Sequence, residues 1–437
     1  MVKEFLSAEK KIYDSVHGFI CYDEDERELI NSLPFQRLHY IHQLGIAFLV
    51  YPGATHSRFE HSLGVMELAS RIFDKICKNV RPDVFHLVPR KGSTDYFYWR
   101  KVLRIAALCH DLGHLPFSHV AEKDILKGGH ETWTAKIIES IYLRPVWKKI
   151  KEKPLFSLPG RDFVQDVIKI SLGEKKWSEC YKAKFSSWEK MVSGIITGDF
   201  FGADRIDYLL RDAKSTGVAY GLFDYHQLIE MLRILPSINN KKEELELGID
   251  INGLESCEAL LLARHFMHRR VYQYSSVQAY NFHLRRFMKK NYNPKTFENI
   301  EEFLGLSDVE VIADMKKAAQ NKRYTAHEDA KRIIFRKERF KAILISSNIT
   351  ENLLQKIKSR HKISSDKIYW EVQKPTYSKQ ALEFPVAKEH LNLQKATDLS
   401  ELLFRIPIKQ NMWIYVAPEL ESLILSDIDE LKSRASQ

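Results

Sequence analysis

The chain has 437 residues, of which 44% are hydrophobic and 28% are charged. This length and balance are typical of a globular protein with one large domain and an appendage, and they exclude disordered and fibrous classes. No apolar run reaches the roughly 18 residues of a membrane-spanning helix, and the start "MVKEFLSAEKK" lacks a signal-peptide pattern. We therefore expect no membrane partner.

The balance of charges is basic, with 67 Lys and Arg against 57 Asp and Glu and a formal net charge of +10. Such a balance suits anionic partners such as nucleotides, triphosphates or nucleic acid. The cysteines are scattered without CxxC spacing: Cys21, Cys77, Cys109, Cys180 and Cys257. Their number and spacing argue against a disulfide framework or a zinc ribbon, and they predict a reducing, cytoplasmic location.

The first three-quarters of the chain is predicted to be helical, after a small hairpin in "KKIYDSVHGFICYDEDERELI". Apolar residues recur at spacings of three and four, as amphipathic helices require, in "SLGVMELASRIFDKICK", "YWRKVLRIAALCHDLG", "YHQLIEMLRIL" and "GLESCEALLLARHFMHRRVYQY". Gly113 is a stop signal for the second of these helices. The last is long enough to be a central helix.

The pattern changes after about residue 330. Short segments rich in β-branched and aromatic residues predict strands at "KRIIFR", "KAILIS", "KIYWEVQ" and "NMWIYVA", with a helix at "TENLLQKIKSRH" between them. We therefore predict a mainly α protein, with a helical core in residues 1–330 and a smaller C-terminal α+β lobe in residues 331–437.

The segment "AALCHDLGHLPFSH" places three histidines and an aspartate within ten positions. Neighbouring side chains on a helix diverge by about 100°, so His110 and Asp111 converge only on a group placed between them, such as a divalent cation. Further candidate ligands are His56, His61, Asp204, Asp207 and Asp212. Spacing alone does not choose among them, and each histidine taken singly is better explained by an ordinary hydrogen-bonded role.

The order RFEHSLG, HDLGH-PFSH, HE and D-x-x-DY-x-x-RD resembles the HD-domain phosphohydrolases. It is most similar to the deoxynucleoside triphosphate triphosphohydrolase branch, which includes an animal enzyme with an added sterile-alpha-motif domain. The resemblance runs from residue 16 to about residue 345. Since it begins so early, we expect no sterile-alpha-motif domain before it. It implies the HD-domain helical core as the fold.

The resemblance implies one bound divalent metal ion, which the ligand types do not restrict among Mn, Fe, Mg, Zn, Ni and Co. The implied ligands are His61, His110, Asp111 and Asp204. Nitrogen and oxygen ligands without thiolate fit an open catalytic site better than a closed structural zinc site. The resemblance also implies that proton transfer and the orientation of water fall to His114, His119, His130 and Glu131. We predict His119 as the general acid.

The implied substrate is a dNTP, hydrolysed at the α-phosphorus to deoxynucleoside and inorganic triphosphate. Gln43 and Leu44 match residues that contact the sugar where a 2′-oxygen is absent. Residues matching contacts to phosphates, sugar or the 3′-hydroxyl are Arg58, Arg205, Tyr208, Asp212, Arg264, Tyr272 and Gln273. Arg205 replaces a lysine of close relatives, which keeps the charge and changes the donor geometry.

Relatives of the animal type are activated by nucleotides bound between subunits. The resemblance to them implies that this chain forms a homo-oligomer, either a dimer or a tetramer. Three of their regulatory positions are changed here, to Tyr13, Asn31 and His39, so we do not expect guanine-specific activation. The basic segment "KRIIFRKERFKAIL", with Lys337 and Lys341, resembles one that contacts an activator's phosphates. A solvated helix face explains the same charges equally well.

Two other functions remain open from the sequence. One is an HD phosphohydrolase or phosphodiesterase that acts on another nucleotide or on nucleic acid, which the basic C-terminal lobe favours. The other is a non-catalytic nucleotide or nucleic-acid sensor. The presence of Gln43, Tyr208 and Asp212 favours the deoxynucleotide, and the complete set of ligand positions favours an enzyme.

Overall fold

The computed structural model describes residues 10–181, 184–238, 244–292, 297, 299–346, 351–373, 377–388, 392–408 and 411–435. The helices before residue 300 are α1 (Glu24–Ile30), α2 (Leu33–Gln36), α3 (Arg58–Ile76), α4 (Thr94–Cys109), α5 (Glu122–Ile125), α6 (His130–Glu139), α7 (Arg144–Lys151), α8 (Phe163–Cys180), α9 (Ser187–Thr197), α10 (Ala203–Thr216), α11 (Tyr225–Met231), α12 (Leu254–Met267) and α13 (Ser275–Asn291). The later helices are α14 (Ile300–Leu304), α15 (Asp308–Gln320), α16 (His327–Ile334), α17 (Glu351–Arg360), α18 (Lys379–Leu382), α19 (Ala396–Leu399), α20 (Glu401–Arg405) and α21 (Glu421–Ala435).

The strands are β1 (Lys10–Asp14), β2 (Gly18–Tyr22), β3 (Leu232–Pro236), β4 (Leu245–Asp250), β5 (Lys341–Ser346), β6 (Ile368–Gln373), β7 (Pro385–Ala387), β8 (Leu393–Lys395) and β9 (Asn411–Val416). They form a hairpin β1-β2, a sheet in the order β3-β4-β7-β8 and a sheet in the order β5-β9-β6. The fold is therefore mainly α with small sheets, as predicted, and the N-terminal hairpin is confirmed.

Helix α4 lies at the centre of the molecule, packed between α3 and α8. It begins after Ser93, whose hydroxyl oxygen accepts a hydrogen bond from the Tyr96 amide. From Val102 to Cys109 its side chains are nearly all buried. Helix α10 also packs against α3. The end of α4 and the starts of α3 and α10 therefore meet in the interior of one helical core. None of the helices described is long and apolar enough to cross a membrane.

Two predicted elements are wrong in part. "KRIIFR" lies largely in α16, because Ala330 and Ile333 are three residues apart and both turn into the core. The predicted helix "YHQLIEMLRIL" ends at Met231, and the following residues form β3, because they pair with β4 in a register of Leu232 with Ile249. The strands β5, β6 and β9 and the helix α17 are confirmed.

The C-terminal residues pack in two ways. One face of the β5-β9-β6 sheet joins α17 and α21 in a separate apolar cluster, and its other face places Trp413 and Tyr415 against Phe282 of α13. In contrast, β7 pairs in parallel with β4, and Phe384 and Val386 belong to the main core. Strands β4 and β7, which lie on the two sides of residue 330 in sequence, pair within one sheet. A domain boundary at residue 330 stays a prediction.

Candidate active site

Three predicted metal ligands meet at the ends of the core helices. His61 comes from the first turns of α3, His110 follows the end of α4, and Asp204 comes from the first turn of α10. One ligand atom from each lies within 4.8 Å of the other two. Asp204 Oδ1 is 3.0 Å from His61 Nε2 and 3.8 Å from His110 Nε2. Three segments distant in sequence thus form one His/carboxylate cluster that can hold a metal ion.

Asp111, the fourth predicted ligand, borders this cluster. Its Oδ2 is 3.6 Å from His61 Nε2, and its Oδ1 is 3.3 Å from His110 Nε2. Arg58 forms an ion pair with Asp111 Oδ2 and donates through Nε to Ser118 Oγ at 2.8 Å. Arg58, a predicted phosphate contact, is therefore buried against Asp111, where its positive charge balances the carboxylate.

The residues present fit a divalent cation. His110 donates its Nδ1 proton to the Ala107 carbonyl at 2.7 Å, and among the described residues its buried Nε2 has no hydrogen-bond partner. Burial opposes the charging of His61, but the hydrogen bonds that it donates to Asp204 and Asp207 outweigh burial and raise its pKa to about 10. The cluster thus attracts positive charge, which a cation would supply. Imidazole and carboxylate ligands suit several divalent ions and do not choose among them.

A buried charge network lies behind His61 and fixes its ring. Asp207 accepts hydrogen bonds from His61 Nδ1 at 2.7 Å, from His17 Nε2 at 2.6 Å and from Arg211 Nε at 2.9 Å. Arg211 also donates to Asp14 Oδ2 at 2.7 Å. Burial opposes ionisation of Asp207, but the cation of Arg211 holds its pKa well below the usual range. Asp207, which spacing left open as a ligand, therefore orients His61 so that Nε2 faces the cluster.

Gly64 makes the contact between this network and α3 possible. A Cβ atom at this position would lie 1.9 Å from Asp207 Oδ1 and 2.5 Å from Arg211 Nη2. Glycine inside a helix costs about 1 kcal/mol relative to alanine. Here any larger residue would displace the carboxylate that orients His61.

The predicted catalytic histidines gather around a carboxylate that the sequence interpretation missed. Glu122 accepts hydrogen bonds from Nδ1 of His114 at 2.5 Å, of His119 at 3.0 Å and of His130 at 3.1 Å. His114 Nε2 also lies 3.1 Å from Asp111 Oδ1, so one contact joins the two clusters. The signal for Glu122 was weak, since an acidic residue three positions after His119 is common.

The three histidines have different electrostatic environments. Burial, with the nearby Arg58 cation, lowers the pKa of His114 to about 4. Burial also opposes charging of His130, but Glu122 and then Glu131 outweigh it and raise its pKa. Glu131, predicted as a partner of His130, places Oε2 3.7 Å from His130 Nδ1. His119 is the exposed member, with 69% of its side chain accessible.

The connection that carries His119 is strained. Phe117 and Ser118 both have φ of 58°, in the left-handed region that favours glycine. The Phe117 amide donates to Asp308 Oδ1 at 2.6 Å, and Ser118 Oγ donates to the His42 carbonyl at 2.8 Å. The Asp308 side chain of α15 and the backbone carbonyl of His42 thus hold a conformation that the local sequence alone disfavours.

Two predicted phosphate contacts, Arg205 and Arg264, lie together with His268, which the sequence interpretation missed. Burial and the neighbouring Arg205 cation lower the pKa of Arg264. Burial, followed by Arg264 and Arg205, lowers the pKa of His268 to about 3. Arg205 donates to the Gly198 carbonyl, and Arg264 donates to the Asp199 carbonyl at 3.1 Å. Such mutual repulsion among cationic groups favours an anionic ligand.

The predicted sugar contacts lie beside this group. Asp212 accepts hydrogen bonds from Tyr272 Oη and from His56 Nε2, both at 2.7 Å. The rings of Tyr208 and Tyr272 are 6.0 Å apart. Gln273 follows Tyr272, and its backbone amide donates to the His268 carbonyl at 2.7 Å. The remaining predicted contacts, Gln43 and Leu44, share a cavity of about 540 Å³ with His119 and Tyr272.

The predicted regulatory lysines lie after the end of α16 and at the start of β5. Lys337 is exposed in the connection after α16. Lys341 begins β5, and its Nζ lies 3.0 Å from Glu421 Oε2 on α21. Lys341 therefore has a carboxylate partner within the chain, and binding of an activator's phosphates by these residues stays a prediction.

Comparison with known proteins agrees with this fold and arrangement of residues. Residues 58–176 match the HD domain, and residues 223–421 match the HD associated region. The chain belongs to the HD-domain family. Members of this family bind divalent metals, and this chain carries a His/Asp group that can hold one.

Among solved structures, the chain is similar to a hypothetical protein from Aquifex aeolicus, with 32% identity, a TM-score of 0.74 and coverage of 96% of this chain and 100% of that chain. An uncharacterized protein of Methanocaldococcus jannaschii is 33% identical over 70% of this chain and 55% of its own length. The deoxynucleoside triphosphate triphosphohydrolase SAMHD1 of Gallus gallus is 31% identical over 61% of this chain and 42% of its own length. The match thus spans about half the length of these last two relatives.

Proposed function

We propose that this HD-domain protein is a metal-dependent hydrolase that converts a dNTP to deoxynucleoside and inorganic triphosphate. The observation that carries the proposal is the 3.1 Å contact between Asp111 Oδ1 and His114 Nε2, which joins the His/carboxylate cluster to the histidines around Glu122. Sites for a cation and for proton transfer are thereby adjacent. The similarity to the deoxynucleoside triphosphate triphosphohydrolase SAMHD1 of Gallus gallus supports the choice of substrate.

The residues proposed to hold the cation are His61, His110, Asp111 and Asp204. A divalent cation bound there would lower the pKa of a water molecule and neutralise charge on the phosphoryl oxygens. His61 is held for this role by Asp207, and His110 by the Ala107 carbonyl.

In the proposed reaction, an oxygen–phosphorus bond forms between water and the α-phosphorus, and the bond from the α-phosphorus to the 5′-oxygen breaks. The departing 5′-oxygen requires a proton. We assign its delivery to His119, which is exposed to the site entrance and whose Nδ1 donates to Glu122. Glu122 accepts hydrogen bonds from Nδ1 of His119 and of His130, which holds both rings in orientation, as a positioned general acid requires.

Other side chains are proposed to bind the substrate. Arg205 and Arg264 form a cationic pair suited to the β- and γ-phosphates, and His268, whose lowered pKa of about 3 keeps it neutral, lies beside them as a hydrogen-bonding group. Asp212 and Tyr272, joined by a hydrogen bond of 2.7 Å, are proposed to contact the 3′-hydroxyl. Gln43 and Leu44 line a cavity and are proposed to contact the sugar there.

The test is product analysis with dGTP and Mn²⁺, comparing the wild type with a His110→Ala, Asp111→Ala double variant. We expect deoxyguanosine and intact triphosphate from the wild type alone. A matched control replaces the pair His361 and Asp427, which lie 2.6 Å apart away from the site, by alanine. Stepwise release of single phosphates would contradict the mechanism.

Parallel reactions with NTPs and a single-stranded oligonucleotide address the other HD hydrolase activities. Faster turnover of either substrate than of any dNTP would replace the proposed substrate class. A protein that binds no metal and gains no turnover with added Mn²⁺ would instead be a sensor. Metal content is measured on the purified protein by elemental analysis.

A further inference from the structure

A cavity of about 540 Å³ lies between the helical core and the C-terminal sheet. One wall carries the proposed reaction and sugar residues Gln43, Leu44, His119 and Tyr272. A second wall is formed by α13 and by strands β6 and β9, and its polar residues are Gln278, Asn281, Arg285, Glu371, Gln373 and Tyr415. The volume suits a nucleoside-sized ligand, and its position extends the proposed site away from the phosphates.

Two buried amide oxygens in this lining have no hydrogen-bond partner among the described residues. They are Gln43 Oε1 and Asn281 Oδ1. A buried polar atom without a partner is costly, so such atoms are expected to meet a ligand or water.

The same lining contains an ion pair that faces the cavity. Arg285 Nη1 contacts Glu371 Oε2, and Tyr415 Oη donates to Glu371 Oε1 at 2.9 Å. The side chains of Arg285 and Glu371 are 29% and 35% exposed, so both keep atoms available to a ligand. The cavity wall therefore offers a fixed guanidinium donor next to a fixed carboxylate acceptor.

Apolar surface completes the lining and suits a flat ring. Phe117 and Val277 contribute from the two walls beside Leu44. Polar groups at one end and apolar surface along the sides are the usual features of a site for a heteroaromatic ring. Phosphate or a sugar alone would leave the apolar part without contact.

We infer that this cavity binds the nucleobase of the substrate and that Arg285 and Glu371 of the α13–β6 wall select guanine. Guanine presents O6 and N7 as acceptors, which match a guanidinium, and amino and ring N–H donors, which match a carboxylate. Adenine lacks the carbonyl acceptor, and cytosine and thymine lack N7. This inference rests on the proposed function, because the proposed reaction and sugar residues determine which end of the nucleotide enters the cavity.

The experiment measures kcat/KM for dGTP, dATP, dCTP and dTTP in the wild type and in Glu371→Gln and Arg285→Lys variants. Glu419→Gln is the matched control, since Glu419 pairs with Lys367 at 2.7 Å in the same C-terminal region, outside the cavity lining. We expect the wild type to prefer dGTP. We expect Glu371→Gln and Arg285→Lys to reduce the dGTP to dATP ratio about tenfold, as loss of one base contact does, and Glu419→Gln to leave it unchanged.

Binding of dGTP and dATP is measured separately by calorimetry in EDTA, with thermal unfolding of each variant to exclude misfolding. An unchanged ratio in folded Glu371→Gln and Arg285→Lys variants would overturn the base-reading assignment and leave the hydrolase intact. Absence of hydrolysis of every dNTP by the wild type, with dGTP still bound more tightly than dATP and that difference lost in Glu371→Gln, would overturn the proposed reaction and support the base site.

Discussion

The His/carboxylate cluster and the histidine cluster around Glu122 touch, but they are built differently. His61 is fully buried, on a long helix, and is fixed from behind by Asp207, which Arg211 keeps ionised. His119 is 69% exposed and lies after two strained residues. Under the proposed function, this difference would let the buried cluster hold a cation while His119, the exposed member of the histidine cluster, exchanges protons with solvent and substrate.

The largest expected effect comes from removing the charge at the centre of the histidine cluster. Glu122→Gln should lower kcat by about 10²- to 10⁴-fold, the usual size of a general acid–base contribution, while metal affinity stays near the wild-type value. Steady-state kinetics and metal titration check the two halves of this prediction. Glu139→Gln on α6, at an exposed position, is the control. Equal losses of kcat and of metal affinity would show that the two clusters act as one.

The second prediction concerns pH and the buried cluster. The pKa of His61 is raised to about 10 in the metal-free protein, and a metal ion needs the neutral imidazole. Metal affinity should therefore rise with pH below that pKa, by about tenfold per unit and about 100-fold from pH 6.5 to 8.5. Calorimetry with Mn²⁺ in buffers of different ionisation enthalpy should show about one proton released per ion. Affinity independent of pH would contradict the raised pKa.

The third prediction tests whether the buried network orients His61. Asp207→Asn should weaken metal binding by about 10- to 100-fold, as loss of a partner behind a ligand does. Asp329→Asn is a close control, because buried Asp329 accepts from His283 Nδ1 at 3.0 Å and from Arg286 Nε at 3.1 Å, far from the cluster. Metal titrations of both variants at one pH decide the matter. Similar affinities in the two would mean that Asp207 contributes only to folding.

The smallest expected effect comes from a substitution in the strained backbone just before His119, at Ser118. Ser118→Ala removes a hydroxyl that accepts from Arg58 and donates to the His42 carbonyl. We expect the free energy of unfolding to fall by about 1 kcal/mol, with metal affinity unchanged. Urea denaturation measures the first quantity. A stability equal to the wild type would show that Asp308 alone holds the connection.

The helices that carry the site could be predicted from the sequence. Periodic apolar residues are sufficient to place α3 and α4, because these helices bury one face or more along most of their length. The order of the motifs then selects His61, His110, Asp111 and Asp204 from a larger set of candidates. What the sequence could not show is their mutual distance, which depends on how the helices pack.

The residues that support the site could not be predicted from the sequence, and the reason is physical. His17 and Asp207 are 190 positions apart and meet only in the folded core. His268 and Arg285 belong to basic segments in which a solvated surface role is the simplest expectation. The error at "KRIIFR" has a similar origin, since β-branched residues favour strands locally and tertiary burial of Ala330 and Ile333 decides for a helix.

The parallel pairing of β7 with β4 has a practical consequence for making fragments of this protein. A fragment that ends at residue 330 would lose β7 and leave one edge of β4 unpaired, together with the apolar surface that Phe384 and Val386 cover. Exposed strand edges beside apolar surface promote association between molecules. We expect such fragments to aggregate during expression. Adding residues 377–408 as a separate peptide is expected to reduce this aggregation.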